Sequence, residues 1–215
     1  MIEIIALLSM IIDHIGIIFF PEMIIFQIIG RLSFPAYAFL ISLGYSRTKN
    51  SLLYFFRILL LGIVSQILYY YLISPIKLNV CFTLAFGLLF LMVIYSQKLN
   101  KYLKALFCLF IVSFSFFSGC EYGIYGILLI YLFHLYIKNR QNIKRNFILI
   151  VGFILITILS IIVFNFPKIY IFSLCVLPII ILVPENKQKT KCIKYFNYTF
   201  YPLHLLILLL VNALT

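Results

Sequence analysis

Charge is scarce in this sequence. Asp, Glu, Lys and Arg together make up 10% of it, against roughly a quarter in a soluble domain. Acids are the scarcer sign, five against 17 bases, and Asp13 is the single aspartate. A chain so poor in charge and 65% hydrophobic is excluded as a soluble globule, because a large part of any globule faces water. The apolar residues run along the whole length, so a soluble domain with one anchor is excluded as well. Metal spacing is also missing. Cys81, Cys108, Cys120, Cys175 and Cys192 form no CxxC or related pattern, so neither a zinc site nor a disulfide framework is expected. Most of them read as small hydrophobes. There is no internal repeat, heptad array or low-complexity linker. The first apolar run lacks the basic leader and small-residue cleavage site of a secretory signal, and it holds Asp13 and His14. It is therefore expected to remain as a mature helix.

What is present is a series of apolar runs, at about 2–20, 23–44, 51–73, 81–96, 103–118, 122–137, 146–164, 169–183 and 193–213. Each approaches the roughly 20 residues that a bilayer span requires. Open strands cannot satisfy their backbone in lipid, so the expected fold is all-α: one domain over 1–215, a polytopic transmembrane bundle of about nine spans, with eight to ten admissible. The net charge of +12 would suggest nucleic acid in a soluble protein. Here the bases lie in short runs between apolar segments, so no nucleic-acid partner is expected. The loops holding Arg47 and Lys49, Lys98 to Lys104, Lys138 to Arg145, and Lys187 to Lys194 carry 13 of the 17 bases. All four fall on one side of a nine-span chain. The opposite loops hold Lys77 and Lys168. That asymmetry predicts a cytoplasmic N-terminus and an external C-terminus.

Ionisable side chains inside a span are expensive and mark function more often than not. Four lie clearly inside: Asp13, His14, Arg31 and His204. Spans one and two form a hairpin that turns near Pro21 and Glu22. Asp13 lies nine residues before Glu22 and Arg31 nine after it. Mirror positions share a depth, about 10 Å below the outer surface by helix rise, so the two charges can meet. An unpaired Arg there would cost at least ~2.5 kcal/mol. His14 points about 100° away from Asp13 and faces Gly30, where the missing side chain leaves room for a substrate or a passing helix. The competing reading is a buried pair that only fixes the hairpin, with His14 bonded to a backbone carbonyl. Pro35 cannot donate to the carbonyl of residue 31, so span two should break beside Arg31. In the last span, Tyr201 falls one turn from His204. Asn79 and Thr83, one turn apart at the outer start of span four, either cap that helix or face the same cavity. His134 reads as structural, and Arg57 lies near a cytoplasmic end, where it can snorkel.

These residues sit in ordered motifs: Met10-Ile-Ile-Asp13-His14-Ile-Gly16, then Gly30-Arg31-Leu-Ser-Phe-Pro35. Gly44-Tyr45 with Arg47-Thr48 follows, then Tyr54 and Arg57, then Leu78-Asn79 with Thr83-Leu84 and Gly87. Tyr201-Pro202-Leu-His204 closes the series. In order and spacing the chain resembles the TraX family, strongly over 1–90 and again over 195–210. The resemblance implies a polytopic acyltransferase of the bacterial cytoplasmic membrane, similar to a conjugative-pilin acetylase. It implies acetyl-CoA as acyl donor and no metal. It makes His14 the catalytic candidate, beside Asp13 and Arg31, with His204 as a second member. Arg47 and Arg57 would meet the phosphates of acetyl-CoA, and Asn79, Thr83 and Tyr201 the acceptor. The expected partners are the lipid bilayer, acetyl-CoA and a pilin-like peptide or envelope glycan, with a homo-oligomer left open. The rival functions are a proton-coupled transporter and a structural membrane subunit, neither with covalent chemistry.

Overall fold

A computed structural model describes residues 1–139, 142–182 and 191–214, with the side chains of 191–197 left out. Among the described residues each of the nine apolar runs is occupied by helix. They are α1 (Ile2–Phe19), α2 (Ile24–Gly30) continued by α3 (Ser33–Arg47), α4 (Ser51–Leu72), α5 (Val80–Ile94), α6 (Lys101–Phe117), α7 (Gly123–Lys138) and α8 (Arg145–Val163). A 3-10 stretch, Lys168–Val176, then runs into α9 (Leu177–Leu182), and α10 (Lys191–Leu214) ends the chain. Four helical segments, 2–19, 24–47, 51–72 and 145–163, are long and apolar enough to cross a membrane. Those over 80–94, 123–138, 168–182 and 198–214 are apolar but shorter. The loop bases Arg140, Lys187 and Lys189 lie outside the described residues, as does the side chain of Cys192.

Asparagine starts three of the helices. The side chains of Asn50, Asn79 and Asn100 accept from the backbone N–H of Leu53, Cys81 and Leu103. Each satisfies a donor that the first turn would otherwise leave open. The break between α2 and α3 falls at Arg31 and Leu32, where Pro35 withholds a donor.

α7 is the central helix, packed on α3, α5, α6 and α8. Ile127, Leu129, Ile130 and Phe133 on it are fully buried. Phe133 meets Phe39 and Phe153 edge-on, both at 5.7 Å between ring centres, each pair contributing ~0.5–1.5 kcal/mol beyond its buried area. In lipid, small residues and interhelical hydrogen bonds replace the hydrophobic drive for helix association. Ala36, Ala38 and Ala85 are fully buried. Ser42 donates to the Ile130 carbonyl at 2.7 Å, joining α3 to α7, and Ser33 donates to the Ala6 carbonyl at 3.2 Å, joining α3 to α1. Leu106, Leu109, Phe110, Leu155 and Ile162 face outward, as a hydrocarbon solvent allows.

At one end of the bundle two connections are stitched together. Leu78 N–H donates to Gly119 O and Glu121 N–H to Leu78 O, both at 3.1 Å. Gly119, at φ +69°, closes α6 in a Schellman motif. Its N–H bonds Phe116 O, and the next N–H, of Cys120, bonds Ser115 O. Residues 118–122 are thus held from both sides, which sets where Glu121 and Tyr122 sit.

Candidate functional site

The α1–α2 hairpin brings Asp13 and Arg31 together. Arg31 Nη2 donates to both Asp13 oxygens, at 2.9 and 3.1 Å, and Nε donates to the Gln27 carbonyl at 3.1 Å. Both side chains are about nine-tenths buried. The guanidinium also lies over the Tyr170 ring, 4.9 Å from its centre, so the 3-10 stretch closes the pair from a third side. Gly30 leaves room for this ion pair and for nothing else. A Cβ there would overlap the Asp13 carboxylate, which fills the space expected to remain open opposite His14.

His14 reaches α10. Its Nδ1 lies 2.8 Å from His204 Nε2, and the two rings are nearly parallel at 5.0 Å. The other nitrogen of His204, Nδ1, lies 3.0 Å from the Phe200 carbonyl. A carbonyl only accepts, so His204 Nδ1 carries a proton. In the neutral pair His204 Nε2 is then the acceptor, His14 Nδ1 the donor, and His14 Nε2 holds a bare lone pair. This is the arrangement of a base oriented by a second group. Both rings are buried.

Tyr201 stands beside His204, with ring centres 5.4 Å apart. Its hydroxyl is buried and has no hydrogen-bond partner among the described residues. Asn79 is committed to structure: besides its cap, its amide donates to Gly62 O at 2.8 Å and to Gln66 Oε1 at 3.0 Å. Thr83 Oγ1 accepts weakly from Tyr122 N–H at 3.5 Å. Arg47 and Arg57 are not brought to the histidines. Arg47 lies at the opposite end of the bundle, about 24 Å of helix along from Arg31, and Arg57 lies six residues into α4 from that same end. His134 is at that end too, edge-on to Tyr45 and Tyr95.

The structure adds residues that sequence reasoning missed. Glu121, partly buried in the connection between α6 and α7, is within electrostatic reach of Asp13, Arg31 and Lys77. The Tyr69 hydroxyl sits beside it, placed to donate. Burial pushes the Glu121 carboxyl up to about 7; Asp13 adds to the rise, and Arg31, Lys77 and Tyr69 oppose it. Tyr122 and Tyr170 flank Arg31. Glu121 is one of five acids in the chain, and that rarity is the one signal that could have singled it out.

A family model described as TraX protein matches residues 1–212. A probable fimbrial assembly protein FimC, serogroup H1, of Dichelobacter nodosus is 26% identical over 231 residues, covering 96% of this chain and 92% of that protein. An uncharacterized protein of Rickettsia prowazekii is 36% identical over 63 residues, 29% of this chain and 23% of that protein. No solved structure gives a significant match.

Proposed function

The chain belongs to the TraX family, and we propose that it is a membrane-embedded acyltransferase. It moves an acetyl group from cytoplasmic acetyl-CoA to an amine or hydroxyl at the outer face of the bacterial cytoplasmic membrane. The observation that carries this reading is the His14–His204 hydrogen bond, set beside a buried ion pair inside an apolar bundle. Two imidazoles and an ion pair at this depth are costly in lipid, and no packing need calls for a bare ring nitrogen. The fimbrial relative's name supports a pilin-like peptide as acceptor, with an envelope glycan as the other candidate.

His14 Nε2 acts as general base or as transient acyl acceptor. His204, anchored on the Phe200 carbonyl, fixes the tautomer that leaves Nε2 bare. Arg31 stabilises negative charge that develops on the thioester oxygen. Arg47, Lys49 and Arg57, at the basic end, meet the donor's phosphates as it enters.

The test is turnover of labelled acetyl-CoA by the purified protein, compared with His14→Ala. The variant should lose at least ~10²-fold, the low end of what a positioned base contributes, while its helical circular dichroism stays unchanged. Wild-type turnover by the variant removes His14 from the chemistry.

A further inference from the structure

At the basic end of the bundle one buried side chain lacks a partner. His134, one turn before the end of α7, is 6% exposed. Its Nδ1 is buried and bonds nothing among the described residues. A buried polar atom left in that state is costly, and hydrocarbon offers it no bond. Two phenols stand against the ring. Tyr95, which ends α5, is edge-on at 4.8 Å between ring centres, and Tyr45, in the last turn of α3, at 5.2 Å. The Tyr45 hydroxyl donates to the Leu91 carbonyl at 3.4 Å, so it does not serve the imidazole. Lys138, one turn on from His134, holds its ammonium 4.4 Å from the centre of the Tyr95 ring. Exposure rises along the cluster: His134 is buried, Tyr45 and Tyr95 are half-buried, and Lys138 is exposed. Three helices thus set an unmet polar atom deepest, aromatic rings around it, and a cation at the edge that faces water.

That order of groups fits a purine nucleotide. Aromatic side chains stack on bases, since every base has a π-face. A purine edge carries both an amine that donates and ring nitrogens that accept, so it answers His134 Nδ1 in either tautomer. The phosphates of the nucleotide lie on its polar side, where the Lys138 ammonium stands. A lipid headgroup also brings a phosphate, but it has no ring for the phenols and would leave Nδ1 unmet.

We propose that Tyr45, Tyr95, His134 and Lys138 form the subsite for the adenine nucleotide of the acyl donor. The inference rests on the acyltransferase reading and separates donor recognition from chemistry along the bundle. Tyr45 lies 14 residues beyond Arg31, about 21 Å of helix. The donor's pantetheine arm with its pyrophosphate is as long as five to six extended residues, ~17–20 Å. A nucleotide held beside His134 therefore leaves its thioester near the depth of Arg31 and His14. The base stacks on the phenols, its edge bonds His134 Nδ1, and Lys138 swings from the Tyr95 ring to a phosphate.

The experiment uses the full chain in phosphatidylcholine nanodiscs, with propylamine as acceptor. The donors are acetyl-CoA and S-acetylpantetheine, which has the same thioester arm without the nucleotide. The wild type should prefer acetyl-CoA by ~10²-fold in kcat/KM, as a stacked base with charge-assisted phosphate contacts implies. Tyr95→Leu and His134→Leu should each cut that preference ~10-fold, through KM for acetyl-CoA. Tyr95→Phe, which keeps the ring, should retain it. Adenosine 3′,5′-bisphosphate, the donor's nucleotide end alone, should inhibit the wild type competitively against acetyl-CoA. Equal losses with both donors in the Leu variants would make the cluster packing only. Inhibition by the bisphosphate that vanishes when phosphatidylglycerol is added would assign the cluster to a lipid headgroup. Either result overturns the inference and leaves the acyltransferase reading intact. A wild type that turns over neither donor overturns that reading, and this one with it. If the Leu variants fail to fold, the wild type decides: equal kcat/KM for the two donors, or no inhibition by the bisphosphate, overturns the inference.

Discussion

Arg31 sits between two carboxylates but has one charge to offer, and its geometry decides which acid receives it. Nη2 reaches both oxygens of Asp13 while Nε is occupied by the Gln27 carbonyl, so three donor contacts are fixed at once. A lysine carries the same charge on a single nitrogen and cannot reproduce that fork. Arg31→Lys should therefore lower both thermal stability in detergent and acetyl-CoA turnover. Breaking a buried pair by removing one partner costs ~3–5 kcal/mol, because the remaining charge is left uncompensated. Asp13→Ala and Arg31→Ala should each fall in that range. The double variant should cost clearly less than their sum, since the two residues act as one unit. Additive losses in a thermal or denaturant assay would show that the pair is not the stabilising contact. His14 Nδ1 bonds His204 and, among the described residues, no other group.

At the scale of the element, the anchored turn 118–122 matters more than its length suggests. Gly119 adopts φ +69°, a conformation that costs an L-residue roughly 1–2 kcal/mol, and the residue after the next carries the Glu121 carboxylate. Gly119→Ala should destabilise the protein by about that much and lower acetyl-CoA turnover with it. Gly119→Asn should retain more of both, because asparagine tolerates the left-handed region at a helix C-terminus. Equal losses for Ala and Asn, in melting temperature and turnover, would place the effect elsewhere. This turn also marks the limit of what the residues reveal on their own. The nine apolar runs were legible because long apolar stretches with polar ends admit little but helices in lipid. The Asp13–Arg31 contact was legible because a hairpin maps sequence distance onto depth. The break at Arg31 followed from Pro35. The His14–His204 contact joins residues 190 apart, and no local periodicity encodes which helices of a bundle become neighbours. Glu121 was hidden for a related reason: it lies in a short connection, where neither a 3.6-residue repeat nor a hydropathy pattern applies. Gly30 alone predicts open space, because a glycine shows only that a side chain is missing, not which neighbour fills the gap.

The whole molecule has two unlike ends. Among the described residues Arg47, Lys49, Lys98, Lys101, Lys104, Lys138, Lys144 and Arg145 lie in or beside connections at one end, while Lys77, Glu121 and the Asp13–Arg31 pair lie towards the other. The direction of the proposed acyl transfer depends on which end faces the cytoplasm. If the basic end does, as the distribution of Lys and Arg predicts, the proposed donor's phosphates meet cations on entry and the histidine pair lies nearer the outer face. Single cysteines read this arrangement directly, in a background where Cys81, Cys108, Cys120, Cys175 and Cys192 are replaced. A membrane-impermeant maleimide applied to intact cells should label Lys77→Cys at once, and Lys98→Cys only after the membrane is opened. The reverse pattern would place Lys77 and its connection in the cytoplasm and the basic loops outside, where acetyl-CoA is absent. Transfer across the bilayer in the proposed direction could not then occur, even with every distance around His14 unchanged.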